Sequence, residues 1–148
     1  MTRLAAPILL VAALGGCGEE PQLRVENAWV RLAPVPSRPA AVYFTVRGGP
    51  AATQLINVTS SVAVRSEMHD TVTGAGGAKQ MRPSGPVAIP ALGDVRFAPG
   101  GRHVMLFHVN PGIKPPRALP MRFTFANGTR LEVNAPSQAA GAPPPVAE

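Results

Sequence analysis

Proline sets the first limit on what this chain can fold into. Eighteen of its 148 residues are proline, spread from Pro7 to Pro145. Each one removes a backbone donor and clashes with the preceding helical turn, so long helices are excluded. With 15 glycines added, the two residue types make up about 22% of the chain. That lies just below the roughly 25–30% at which composition alone argues for disorder. Hydrophobic residues are 45% of the total, enough for one core, and the length suits a single domain. The one cysteine excludes a disulfide framework, a cysteine-based zinc site and a CxxC redox motif. The net charge of +6 comes from cations scattered singly, never three together, which argues against a nucleic-acid-binding patch.

The N-terminus reads as an export signal rather than as part of the fold. Arg3 precedes an apolar run from Leu4 to Leu14. Eleven residues are too few for a bilayer core, which needs about twenty. The run closes on Leu14-Gly15-Gly16-Cys17, which resembles a bacterial lipoprotein signal. On that reading residues 1–16 are removed and Cys17 becomes a lipid-bearing first residue. The domain would then sit on the extracytoplasmic or periplasmic side, anchored to a membrane. Gly18 to Gln22 would be its tether, reaching at most about 17 Å.

From Leu23 onward strand signals dominate. Ala41 to Val46 is a β-branched and aromatic run closed by Gly48-Gly49-Pro50. Strands are expected over residues 54–58, 62–69, 80–82, 87–89, 94–97, 103–109, 119–125 and 130–134, after a first one from Leu23 to Leu32. Asn127-Gly128 predicts a two-residue hairpin turn. Short strands so spaced predict an all-β fold, a single Greek-key β-sandwich over residues 23–135. The Ala/Pro-rich segment 136–148 reads as a disordered tail. Leu119, Met121, Phe123 and Phe125 alternate and are assigned to the core, as are Trp29 and Tyr43 in their strand-like runs.

Chemistry concentrates in histidine and methionine. His103 and Met105 lie two apart in a strand, so imidazole and thioether share a face, just after Pro99-Gly100-Gly101. Such a pair is half of a soft-metal site, since thioether sulfur favours Cu(I) and imidazole serves several metals. His69 and Met81 complete a pattern: eleven residues between them, twenty-one from Met81 to His103, and Met105 one residue beyond. This spacing resembles the His/Met copper motif of the periplasmic copper chaperone family PCu(A)C. The blocks Ala28-Trp29-Val30-Arg31, Ala41-Val42-Tyr43, Glu67-Met68-His69, Met81-Arg82-Pro83 and Pro99 to Leu106 are similar to the family's as well.

The resemblance implies a cupredoxin-like sandwich with Cu(I) as its cargo and His69, Met81, His103 and Met105 as ligands. It also implies delivery to the copper A centre of cytochrome c oxidase, directly or through a Sco-type partner, and no enzymatic activity. Two positions depart from the family: Asp70 and Lys79 stand where many relatives have methionine. Residues 135–148 also lack the histidines and methionines of some relatives' tails. These departures bear on a second, auxiliary copper, not on the four ligands.

Other readings remain open at this stage. Met68 should face away from His69 and pack, and His108 falls on the strand face opposite His103. Lys79, Arg82 and Arg102 would give the site a basic rim. A blue-copper electron carrier needs a thiolate, and Cys17 lies outside the domain. GxSxG and HExxH are absent. Zinc remains an alternative because Glu67 and Asp70 adjoin His69, and a metal-free lipid-anchored adhesion or scaffold module is another.

Overall fold

The computed structural model describes Gly18 and residues 20–146. The expected signal segment and Cys17 lie outside the described residues. Eleven strands follow in order: β1 (Arg24–Arg31), β2 (Ala40–Arg47), β3 (Thr53–Ser60), β4 (Ala63–Thr73), β5 (Lys79–Pro83), β6 (Val87–Ile89), β7 (Asp94–Phe97), β8 (His103–Val109), β9 (Leu119–Phe125), β10 (Arg130–Ala135) and β11 (Ser137–Gln138). Among the described residues no helix is long and apolar enough to cross a membrane.

The strands form two sheets. One runs β11-β1-β2-β8-β4-β5, with β7 also pairing β2; the other runs β10-β9-β3-β6. Strands far apart in sequence become neighbours, β2 beside β8 and β3 beside β9, as in a Greek-key sandwich. β9 shows how sequence dictates placement: Leu119, Met121, Phe123 and Phe125 are buried, and the residues between them face outward. β2 is covered on nearly every residue because it lies centrally, and it reads accordingly as a continuous apolar run.

Between the sheets, Val30, Val42, Phe44, Val46, Met68, Val104 and Leu106 meet Leu55, Val58, Ile89 and the four buried residues of β9. Phe44 stacks on Phe97 at 4.2 Å and meets the edge of Phe123 at 4.8 Å. Burial of this apolar surface, at about 25 cal/mol per Å2, is the main force holding the two sheets together. Met68 therefore packs in the core, as its strand position predicts.

Two expectations need correction. The hairpin between β9 and β10 spans Ala126–Thr129 rather than two residues, and Phe125 N–H donates to the Thr129 carbonyl at 2.9 Å. Gly128 takes the left-handed conformation (φ 87°) while Asn127 does not, so the tight turn that needs both never forms. Nor does an irregular tail begin at residue 136. Ser137–Gln138 pair in parallel with Val30–Arg31 of β1, and Leu32 N–H donates to the Gln138 carbonyl at 2.9 Å. Composition cannot show that β1 offers a free edge, and the ladder bonds on that edge order the segment.

At the other end of β1, Glu26 accepts hydrogen bonds from Arg47 Nε at 2.8 Å and Arg24 Nε at 2.5 Å. Arg47 also pairs with Asp94 of β7, so three strands are tied together there. The bonds from Arg47 and then Arg24 hold the Glu26 carboxyl below its ordinary 4.5. A depressed carboxylate contributes stability that is present above the unfolded value and is lost as pH falls through the folded one. Glu26→Gln should thus lower the urea midpoint slightly at pH 7, with the difference from wild type vanishing in strong acid. A difference independent of pH would contradict this linkage.

Candidate metal centre

The four predicted ligands lie on three adjacent strands. In the β4–β8 ladder His69 stands directly opposite His103, and Met105 opposite Glu67. In the β4–β5 ladder Met81 stands opposite Thr71, two residues beyond His69. Met68, Val104 and Leu106 point into the core, so alternation sends Glu67, His69, Thr71, His103 and Met105 to the outer face, with Met81 beside them. Directly opposed and diagonal residues of neighbouring strands are roughly 5–8 Å apart, within reach of methionine side chains. The register thus brings all four to one face.

The imidazole rings of His69 and His103 have centroids 5.9 Å apart. Both are buried, at 9% and 6% exposure, whereas Met105 is half-buried and Met81 is 62% exposed. The histidines form the floor of the site and Met81 stands at its rim. His108, by contrast, is exposed at the far end of β8 in a left-handed conformation (φ 54°).

Each imidazole has one nitrogen committed and one free. His103 Nδ1–H donates to the Gly101 carbonyl at 2.9 Å, which leaves the lone pair on Nε2. His69 Nε2 lies 3.0 Å from Glu67 Oε2; a carboxylate only accepts, so Nε2 carries the proton. His69 Nδ1 is then a buried lone pair with no hydrogen-bond partner. An unpartnered buried acceptor is costly unless something occupies it, and a metal ion would. Metal-bound histidines commonly hold the second nitrogen on a carboxylate or a carbonyl in this way.

The supporting groups are local. Gly101 sits in a turn closed by hydrogen bonds from Gly101 N–H to the Ala98 carbonyl (3.0 Å) and from Ala98 N–H to the Arg102 carbonyl (2.9 Å). Gly100 adopts φ 81° there, a conformation that favours glycine. The Gly101 carbonyl also accepts from Thr71 Oγ1 at 2.9 Å, which ties the turn to β4. The hydrogen bond from His69, with Arg65 nearby, holds the Glu67 carboxyl below the usual carboxylate range, so it stays an acceptor through the neutral range. Sequence reading missed both supports. Glu67 was visible two residues from His69, but the Gly101 carbonyl had no side-chain signal.

The expected basic rim is weaker than residue counting suggests. Arg102 donates to Asp70 Oδ1 at 2.6 Å, and Arg82 turns to Gln80. Asp70 and Arg82 face each other in register and alternate to the side away from the ligands. Of the three cations, Lys79 alone shares the Met81 face. The donor set fits a soft monovalent ion: two thioethers and two neutral imidazoles bring no charge to neutralise a divalent one. No group of three His, Cys, Asp or Glu side chains able to hold a metal occurs among the described residues.

Comparison with known proteins bears on the family and the fold. The LpqE-like family, described as "Putative lipoprotein LpqE-like", matches residues 23–137. The chain belongs to that family. "Putative lipoprotein Lxx21020" of Leifsonia xyli subsp. xyli is 28% identical over 115 residues, covering 77% of this chain and 68% of the relative. The protein RP573 of Rickettsia prowazekii is 29% identical over 96 residues, covering 64% of this chain and about half (53%) of that protein. Among solved structures, the copper-bound PCuAC domain from PmoF2 superposes with a TM-score of 0.65 at 23% identity, covering 79% of this chain and 92% of that one. The Cu(I) form of DR1885 from Deinococcus radiodurans gives 0.59 at 23% identity, covering 77% and 76%. The fold of this LpqE-like chain is therefore the cupredoxin-like PCuAC sandwich.

Glu67→Gln is nearly isosteric and keeps an acceptor oxygen but loses the charge that fixes the His69 tautomer. Loss of such a supporting partner typically lowers metal affinity about 10–100-fold. That drop is expected in a competition titration with Ag(I) or Cu(I). Unchanged affinity would mean that Glu67 does not orient His69 for a metal.

Proposed function

We propose that this protein is an extracytoplasmic copper chaperone that carries one Cu(I) on His69, Met81, His103 and Met105. The observation that carries the reading is the pair of buried imidazoles across β4 and β8, each with one nitrogen spent on a protein acceptor and the other free. Two thioethers on the same face make that pair a soft site. Relatives of like fold named as copper-bound add support.

Carriage and release follow from the donors. Thioethers need no deprotonation, and they cannot be lost to disulfide formation in an oxidising compartment as a cysteine pair could. The imidazoles must be neutral to ligate, so acid releases the ion. A thiolate is a stronger soft ligand than a thioether, so the ion passes downhill to a cysteine-bearing acceptor. The acceptor that suits this chemistry is the copper A domain of cytochrome c oxidase, reached directly or through a Sco-type protein. Met81, exposed at the rim, is the ligand an incoming thiolate would displace first.

The chaperone reading includes the membrane anchor. Cys17 would carry the lipid, and family membership among lipoproteins supports this. No step here makes or breaks a covalent bond in a substrate, so the protein is a carrier and not an enzyme. The zinc reading is the weaker one: Glu67 is engaged by His69 and Arg65, and Asp70 by Arg102.

The test is a Cu(I) competition titration against a coloured chelator. Wild type should bind one ion per chain. His103→Ala and Met105→Ala should each lose affinity by more than the roughly 10–100-fold that a supporting partner costs, and His108→Ala should match wild type. Equal loss in all three variants, or none in the first two, would overturn the ligand assignment, and no stoichiometric binding by wild type would leave the metal-free module as the reading.

A further inference from the structure

Beyond β11 the chain is built as a turn followed by a rod. Ala142 N–H donates to the Ala139 carbonyl at 3.1 Å, and Gly141, the third residue of this turn, has φ 79°. A turn with a left-handed third residue favours glycine there. β11 runs parallel to the end of β1, so the reversal sends the following residues back along the outer face of β1 and β2. Those residues are Pro143, Pro144 and Pro145. Proline fixes its own φ and keeps the residue before it extended, so the run is a polyproline rod before it touches anything. Seating it costs little chain entropy.

The rod borders an aromatic cleft, with Pro143 and Pro144 exposed and Pro145 half-buried. Pro144 and Pro145 line a space of about 250 Å3 together with Trp29, Tyr43, Ala98 and Pro99. Trp29 and Tyr43 are the only tryptophan and tyrosine of the chain, and their rings lie 4.7 Å apart at 38°. Both are buried, yet neither joins the core between the sheets: they lie on the outer face of β1 and β2. The burial expected of both is observed, but on the outer face rather than between the sheets. Their strands were identified correctly, but alternation turns them outward, opposite Val30, Val42 and Phe44. Proline segments dock on aromatic-lined grooves of this kind.

The cleft's far wall, Ala98–Pro99, begins the turn whose Gly101 carbonyl holds His103 Nδ1–H and Thr71 Oγ1. We propose that residues 143–145 form an intramolecular polyproline strap, seated on Trp29 and Tyr43, that braces the turn orienting His103. The strap's effect on copper rests on the function proposed above. Its seat and its hold on the turn do not.

The single tryptophan reports the strap without any metal. Two variants of the full chain remove it by different routes: Gly141→Val strains the turn, and Pro144→Gly with Pro145→Gly softens the rod. In both, acrylamide quenching of Trp29 should rise several-fold. Amide hydrogen exchange at Ala98 and Gly101 should quicken several-fold, with the β9 amides unchanged as evidence that the sandwich is intact. Cu(I) affinity should fall several-fold as well. Unchanged Trp29 quenching in both variants would overturn the strap. An exposed Trp29 with unchanged exchange at Ala98 and Gly101 would overturn the bracing. If wild type bound no Cu(I), the chaperone reading would fall, and the first two measurements would still decide the strap.

Discussion

The pairing of β4 with β8 is the constraint on which the site depends. One residue of slip would send His69 into the core and bring Met68 out. The register is fixed because Met68, Val104 and Leu106 must be buried together, and that burial fixes the opposite face as well. Hydrophobic patterning therefore sets the geometry of two polar side chains that take no part in the core. The imidazoles meet because the apolar residues between them have nowhere else to go.

Much of this was legible in the sequence. Strand positions followed from alternation and from Gly/Pro punctuation, most clearly in β9. His103 and Met105 were assigned to one face by parity alone. What could not be read were relations between strands. That Met81 stands two residues along from His69 depends on the β4–β5 register. The hydrogen bond from His103 to the Gly101 carbonyl uses a backbone atom every residue has. β11 was hidden by its composition, since two residues beside a free strand edge carry no periodicity. Trp29 and Tyr43 were rightly read as buried, but on the outer face, where the Arg31 guanidinium lies over both rings and Pro144 and Pro145 line the adjoining cleft.

In the proposed account a small sandwich holds a soft ion without cysteine. A floor of two imidazoles oriented from below gives direction, and thioethers on the open side give softness without charge. The neighbouring charges, Asp70 with Arg102 and Glu67 with Arg65, are largely spent on one another. Neither carboxylate is then left unpaired beside the site. In the proposed account this balance lets copper be held against water yet surrendered to a thiolate.

The central claim is that each histidine arrives with its ligating nitrogen already chosen by the protein. Histidine ring 15N chemical shifts, measured before and after adding one equivalent of Cu(I), test it most directly. The account predicts that the metal-induced shifts fall on Nε2 of His103 and Nδ1 of His69, with His108 unmoved. Shifts on Nδ1 of His103, on Nε2 of His69, or on His108 would contradict it.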